Sequence, residues 1–68
     1  MKLNFCEKLN ELMEEKKITS LALSKIVGVS ASTILRWKNG EMCPTIDKLA
    51  LLCDYFGVTA DYLLGFED

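Results

Sequence analysis

Residues 19–39 have the pattern of two short helices separated by only three residues, and this spacing constrains the fold more than any other feature. Two runs in which apolar residues recur at helical intervals end before Gly28 and begin after Ser30, and Gly28, Val29 and Ser30 lie between them. Gly28 is expected to end the first helix, because glycine adopts the left-handed conformation at low cost, and Ser30 is expected to cap the second. Val29 and Ile34 form a hydrophobic staple, so the turn should pack against the core. A short turn of this kind sets two helices at a steep angle and makes the second a rigid, projecting rod.

The same pattern of capping residues and glycines predicts three further helices, because most apolar runs follow a Ser, Thr or Asn cap and precede a glycine. The predicted caps are Asn4 (with Glu7 three residues later), Thr19, Ser30, Thr45 and Thr59. The residues predicted to face the core are Phe5, Leu9, Leu12, Met13, Leu23, Ile26, Val27, Ile34, Trp37, Leu49, Leu52 or Cys53, Phe56 and Leu63. No segment alternates between polar and apolar residues for more than a few positions. The prediction is therefore an all-α single domain of five short helices over residues 1–68.

Composition excludes several classes of function. The 68 residues include three cysteines without a CxxC pair and no histidine, so a structural zinc site is not expected, and the thiols should be buried or unreactive in a reducing cytosol. The chain has neither a phosphate loop nor a spacing typical of metal ligands, so we predict no enzyme activity, no metal and no cofactor. The N-terminus lacks the apolar run of a signal peptide, and no stretch approaches the roughly 20 apolar residues that span a bilayer. We expect a cytoplasmic protein without membrane contact.

The net charge of −2 does not by itself indicate a nucleic-acid partner, but the charge is unevenly distributed. Residues 16–48 carry a net charge of +4, whereas residues 1–15 carry −2 and residues 49–68 carry −4. This pattern fits either one positive face on a small globule or a mixed, solvated surface, and charge alone leaves both open.

The predicted third helix, about residues 31–39, has two distinct faces on a helical wheel. Ile34 and Trp37 point inward. The outward and flanking positions are occupied by Ala31, Ser32, Thr33, Leu35, Arg36 and Asn39. One α-helix fits the DNA major groove, where Arg36 can pair with guanine and Ser32 can reach a base edge.

Several residues around this helix are predicted to meet the DNA backbone. Lys38 and Asn39 lie toward its far end, and the capped helix start at Thr19 and Ser20 offers N–H groups to a phosphate. Each residue also has a purely structural interpretation, because a cap role alone explains Thr19, and lysines are ordinary on a solvated surface. The spacing of the whole unit is what indicates DNA binding.

Residues 18–64 resemble the helix-turn-helix domain of the Cro/XRE class, the phage-repressor-like bacterial regulators. The matching residues are Ile18-Thr19, Leu23, Gly28-Val29-Ser30, Ile34, Trp37, Asn39-Gly40, Pro44-Thr45, Gly57-Val58-Thr59 and Tyr62-Leu63-Leu64. The resemblance implies a lambda-repressor-like fold of five helices, binding to specific sequences in double-stranded DNA, and often a symmetric dimer on a near-palindromic operator. By position it implies base reading by Ala31, Ser32 and Arg36. It implies phosphate contacts by Thr19, Ser20, Thr33, Lys38 and Asn39.

The chain departs from the family pattern at a few positions. Ser20 stands where the family often has glutamine, so the side chain available to contact a phosphate there is shorter. Leu21 and Leu35 are apolar where relatives are usually polar. Leu35 can read a thymine methyl group, or both leucines can mark a protein contact.

Two functions are therefore weighed. The leading prediction is a repressor-like transcriptional regulator with helix 3 in the major groove. The alternative is a protein-interaction module on the same scaffold, either antitoxin-like or an accessory subunit. Leu64 and Phe66 lie near the end of the chain with little sequence left to cover them, and they are the predicted contacts of a homodimer.

Overall fold

The chain forms five α-helices in a computed structural model that describes residues 4–66. The helices are α1 (Phe5–Lys16), α2 (Ser20–Val27), α3 (Ala31–Lys38), α4 (Ile46–Phe56) and α5 (Ala60–Leu64). Over the described range no residue is in a strand. The predicted all-α class and the five helices are confirmed.

One hydrophobic core draws on all five helices. Its buried members are Phe5, Leu9, Leu12, Met13, Leu23, Val27, Ile34, Trp37, Leu52, Phe56 and Leu63. Leu49 and Cys53 pack at its margin. Helix α3 packs against both α1 and α2, so its position depends on the helix that precedes it and on α1, which is not adjacent to it in sequence.

The predicted inward position of Ile26 is wrong, because its side chain is 46% exposed. Helix α2 has only eight residues and buries a narrow stripe of Leu23, Ser24 and Val27. The Ser24 hydroxyl donates to the carbonyl of Leu21 at 2.6 Å, so its polar group is satisfied inside that stripe. This short helix therefore packs on the core through three residues, and Ile26 lies outside that contact.

Three of the five predicted caps form as expected. The side chains of Thr19, Ser30 and Thr59 accept hydrogen bonds from the third backbone N–H beyond them, at 3.1, 3.2 and 3.1 Å. These bonds satisfy donors that have no partner inside the helix. Both helices of the central unit therefore begin where the sequence predicts.

Asn4 and Thr45 occupy the predicted N-cap positions, but the side-chain bonds expected of such caps do not form. Neither side chain bonds to its helix N-terminus. The Thr45 hydroxyl donates instead to the carboxylate of Asp47, and this bond lowers the pKa of Asp47 below its ordinary value. The backbone N–H of Asn4 donates to the carbonyl of Leu64 at 3.1 Å, which joins the start of α1 to the end of α5.

The turn between α2 and α3 has the predicted geometry. Gly28 has φ of +85°, and the N–H groups of Gly28 and Val29 both donate to the carbonyl of Ser24, at 2.8 and 3.0 Å. Val29 packs against the core. The turn is thus closed by hydrogen bonds on one side and by apolar contact on the other.

The cysteines are all free thiols. Cys6 and Cys53 are half-buried, and Cys43 is exposed in the loop before α4. The described residues contain no cluster of ligating side chains suited to a metal ion. None of the five helices has the length and apolar character needed to cross a bilayer.

Candidate nucleic-acid interface

Helix α3 separates its buried and exposed residues cleanly. Ile34 is fully buried and Trp37 is 2% exposed. On the other side Ser32 and Arg36 are exposed, Leu35 is 48% exposed, and Ala31 is half-buried at the helix start. The four residues predicted to read bases thus share one outward side of a helix whose inner side is anchored. Their role remains a prediction.

The start of α2 and the end of α3 meet in an open cleft. It is lined by Asn10, Met13, Glu14, Lys17, Ile18, Thr19 and Lys38. Two predicted phosphate contacts, Thr19 and Lys38, therefore lie together although they are 19 positions apart in the chain. We call this feature the Thr19–Lys38 cleft.

The charges around the Thr19–Lys38 cleft favour an anion, although not uniformly. Lys17 and Lys38 contribute two positive charges, and the N-terminus of α2 contributes N–H groups and the positive end of the helix dipole. Glu14 contributes one negative charge. A single phosphate in the cleft would meet a net positive surface.

The remaining predicted phosphate contacts lie elsewhere. Ser20 is half-buried in the first turn of α2. The Thr33 hydroxyl pairs with that of Ser30 at 3.0 Å and lies in a separate groove beside Pro44. The Asn39 amide donates to the Glu41 carboxylate at 3.4 Å, so an acidic side chain already engages it.

Two residues that the sequence analysis did not single out support this surface. Asn10 of α1 donates to the carbonyl of Lys38 at 3.0 Å, and Lys48 of α4 donates to the carbonyl of Val27 at 3.3 Å. Each side chain thereby satisfies the C-terminal end of a helix of the central unit. The one signal for Asn10 is its type, because asparagine is a poor helix former with a side chain suited to bonding backbone groups. Nothing in the sequence distinguishes Lys48 from a surface lysine.

The predicted dimer residues differ in exposure. Phe66 is 48% exposed, whereas Leu64 is half-buried and packs against the core. Part of the apolar surface expected at this end is therefore covered by the chain itself. Leu21, at the start of α2, is more exposed than either, at 58%.

Comparison with known proteins gives a consistent result. The family model described as "Helix-turn-helix" matches residues 9–63. The HTH-type transcriptional regulator YobD of Bacillus subtilis (strain 168) is 30% identical over 64 residues, which are 94% of this chain and 57% of that protein. The HTH-type transcriptional activator BcrR of Enterococcus faecalis is 33% identical over 66 residues, which are 97% of this chain and 32% of that protein. The chain thus spans about a third to somewhat over half of these curated relatives.

Solved structures agree on the fold. The P22 c2 repressor protein, crystallised in complex with a synthetic operator, superposes with a TM-score of 0.87 at 32% identity, over 93% of this chain and 96% of that one. A transcriptional regulator from Listeria innocua gives a TM-score of 0.94 at 28% identity, over 100% of this chain and 64% of that one. The family match extends over most of the described helices and includes the whole α2–turn–α3 unit. The chain belongs to the Cro/XRE-type helix-turn-helix family.

Proposed function

We propose that this chain is a sequence-specific DNA-binding regulator of transcription that inserts α3 into the major groove. The observation that carries the proposal is the exposed side of α3, which presents Ser32, Leu35 and Arg36 on a helix anchored from behind by Ile34 and Trp37. The groove accepts one α-helix, and a rigid helix fixes the register of its side chains against the bases. The structural match to a repressor crystallised on its operator supports this mode of binding.

Base reading is assigned to four residues in this proposal. Arg36 pairs with a guanine through its two-pronged guanidinium group, and Ser32 bonds a neighbouring base edge. Ala31 and Leu35 are apolar and contact thymine methyl groups.

The backbone contacts divide between two places. Thr19 and Lys38 hold one phosphate at the Thr19–Lys38 cleft, and Ser20, in the first turn of α2, adds a backbone contact beside the cleft. Thr33 in the first turn of α3 and Asn39 at its C-terminal end meet further phosphates beside the groove. Contacts of this type fix orientation and add affinity without reading sequence.

The sense of regulation in the proposal is repressor-like, by analogy with the P22 c2 repressor, which matches over 96% of its own chain, whereas the similarly related BcrR is named as an activator. The relatives are bacterial, and bacterial DNA lies in the cytoplasm, so the proposal places the action of this chain there. The protein-interaction alternative depends on the exposed apolar side chains of Leu21 and Leu35. It predicts a partner that binds equally well after Arg36 and Lys38 are changed.

The test begins with selection of bound sequences from a random double-stranded DNA library at a stated salt concentration. Arg36→Ala should weaken binding to the selected site by roughly 1–3 kcal/mol and relax the preference at one base position. Lys38→Ala should weaken all sequences and lower the slope of log K against log salt by about one unit. Lys25→Ala is the matched control, since Lys25 is exposed on α2 and outside the cleft. Failure to select any sequence would refute DNA reading by this chain.

We further propose that two copies bind a near-palindromic operator as a homodimer through Leu64 and Phe66. Two α3 helices in successive major grooves require half-sites about 10 bp apart. Because Leu64 also packs on the core, Phe66→Glu is a cleaner test than a change at both positions. Sedimentation with and without operator should show dimer loss for Phe66→Glu and none for Leu51→Glu, an exposed leucine on α4. A single copy on a non-palindromic site would exclude the dimer.

A further inference from the structure

We infer that Asn10 is a positioning residue for DNA binding. From α1 it holds the end of α3 beside the start of α2 and so sets the width of the Thr19–Lys38 cleft. The inference rests on the proposed function, because it concerns how the phosphate contact of that function is arranged. Asn10 does not touch the bases in this scheme.

The argument starts from the carbonyl groups at the end of α3. The last four carbonyls of a helix have no partner within it. Here the carbonyls of Leu35, Arg36 and Trp37 accept from the N–H groups of Asn39, Glu41 and Gly40, at 3.0, 2.9 and 3.2 Å. The fourth, that of Lys38, accepts from the Asn10 side chain. Three of these carbonyls thus accept hydrogen bonds from the residues that follow α3, and the fourth accepts one from α1.

The Asn10 side chain is itself held in place. Its amide nitrogen also donates to the carbonyl of Cys6, one turn back in α1, at 2.8 Å. One proton of the amide is therefore used to orient the group, and the other is directed at α3. Helix α1 is in turn anchored by buried residues such as Leu9 and Leu12. The bond to Lys38 consequently links α3 to a fixed point.

Apolar packing places α3 against α1, and the hydrogen bond from Asn10 adds a polar constraint at the end of α3. The Phe5 and Trp37 rings meet edge to face with centroids 6.4 Å apart, which orients the two rings but leaves the carbonyl of Lys38 without a donor. A hydrogen bond weakens steeply when its angle or length changes. Among the side-chain hydrogen bonds within residues 4–66, the bond from Asn10 is the one that joins α1 to α3. It therefore adds a directional constraint on the end of α3 to the packing of Ile34 and Trp37.

The functional consequence falls on Lys38. Asn10, Thr19 and Lys38 line the same cleft, and the bond is made to the backbone of Lys38 itself. Without it the end of α3 can move away from Thr19, and the Lys38 ammonium no longer shares a phosphate with the start of α2. The loss should resemble that of Lys38→Ala in its salt dependence.

The test uses Asn10→Leu, which keeps the approximate size of the side chain and removes its donors. We expect an operator affinity lower by about tenfold at low salt and a slope of log K against log salt reduced by about one unit. In a Lys38→Ala background the same substitution should leave the slope unchanged, because the contact on which it acts is already absent. Leu49→Ala is the stability control, since it loosens the core margin away from the cleft and should retain the wild-type slope.

Three outcomes would count against these ideas, and they are distinguishable. If the wild-type chain selects no DNA, the proposed function fails. If it binds and Asn10→Leu has the wild-type affinity and slope, the inference alone is wrong. If Asn10→Leu lowers the slope equally in both backgrounds, Asn10 acts independently of Lys38, and the inference is again wrong. Circular dichroism establishes that each variant is folded; if Asn10→Leu is not, Asn10→Ala, with higher helix propensity, replaces it.

Discussion

A single added methyl group at Gly65 should destabilise the domain more than the same change at Gly57. Both glycines end a helix in the left-handed conformation, with φ of +89° and +69°. A Cβ at Gly57 would meet nothing within 4 Å. A Cβ at Gly65 would lie 2.8 Å from the Cβ of Asn4 and 3.1 Å from its backbone nitrogen. The pair of substitutions therefore separates the cost of backbone conformation from the cost of the contact with α1.

The magnitudes follow from this geometry. Alanine in the left-handed region costs about 1–2 kcal/mol, and a less flexible unfolded chain offsets roughly 0.4–1 kcal/mol of that. Gly57→Ala should thus lower the free energy of unfolding by about 1 kcal/mol. Gly65→Ala adds an overpacking cost of about 1–3 kcal/mol, because Asn4 cannot retreat without losing its bond to the Leu64 carbonyl. For a domain of this size each kcal/mol corresponds to about 4–8 °C in Tm.

Urea unfolding followed by far-ultraviolet circular dichroism measures both variants against the wild type. The expected order of stability is wild type, then Gly57→Ala, then Gly65→Ala, with similar m-values. Equal decreases in the free energy of unfolding for the two variants would show that the start of α1 moves aside without destabilising the domain. A larger loss at Gly57 would refute the reasoning altogether.

Three further predictions concern single side chains. Trp37→Ala should lower the free energy of unfolding by about 3–5 kcal/mol, and Trp37→Phe should lower it less in the same urea experiment, because it keeps an aromatic ring and the indole N–H has no acceptor among residues 4–66. The hydrogen bond from Thr45 holds the pKa of Asp47 below its ordinary value. Ionised Asp47 therefore stabilises the folded state above about pH 4, and this contribution is lost on acidification through the folded-state pKa. Thr45→Val should raise that pKa in an NMR titration, and an unchanged pKa would contradict the assignment. Exposed Cys43 should react with iodoacetamide before Cys53, because burial raises the pKa of the Cys53 thiol and the thiolate is the reactive form; peptide mass spectrometry after brief labelling reveals the order.

The interface was accessible to sequence reasoning only in part. The outward position of Ser32, Leu35 and Arg36 follows from the helical period once Ile34 and Trp37 are assigned to the core. The meeting of Thr19 with Lys38 depends on the angle between α2 and α3 and on what holds α3 there. The three-residue turn predicts only that the angle is steep, and its value results from packing.

The sequence by itself determined where the helices of the central unit begin and end. Those signals act within four or five residues: the Thr19 and Ser30 caps reach the third N–H beyond them, and Gly28 closes α2 on Ser24. Tertiary structure decided which polar groups bridge helices. Asn10 and Lys38 are 28 positions apart and meet because α1 packs on α3, so the bond between them is a consequence of the core. Caps are local because a helix end leaves its own backbone groups without partners, and nearby side chains can bond them. Hydrogen bonds between helices form only where packing of the apolar faces brings the two helices together.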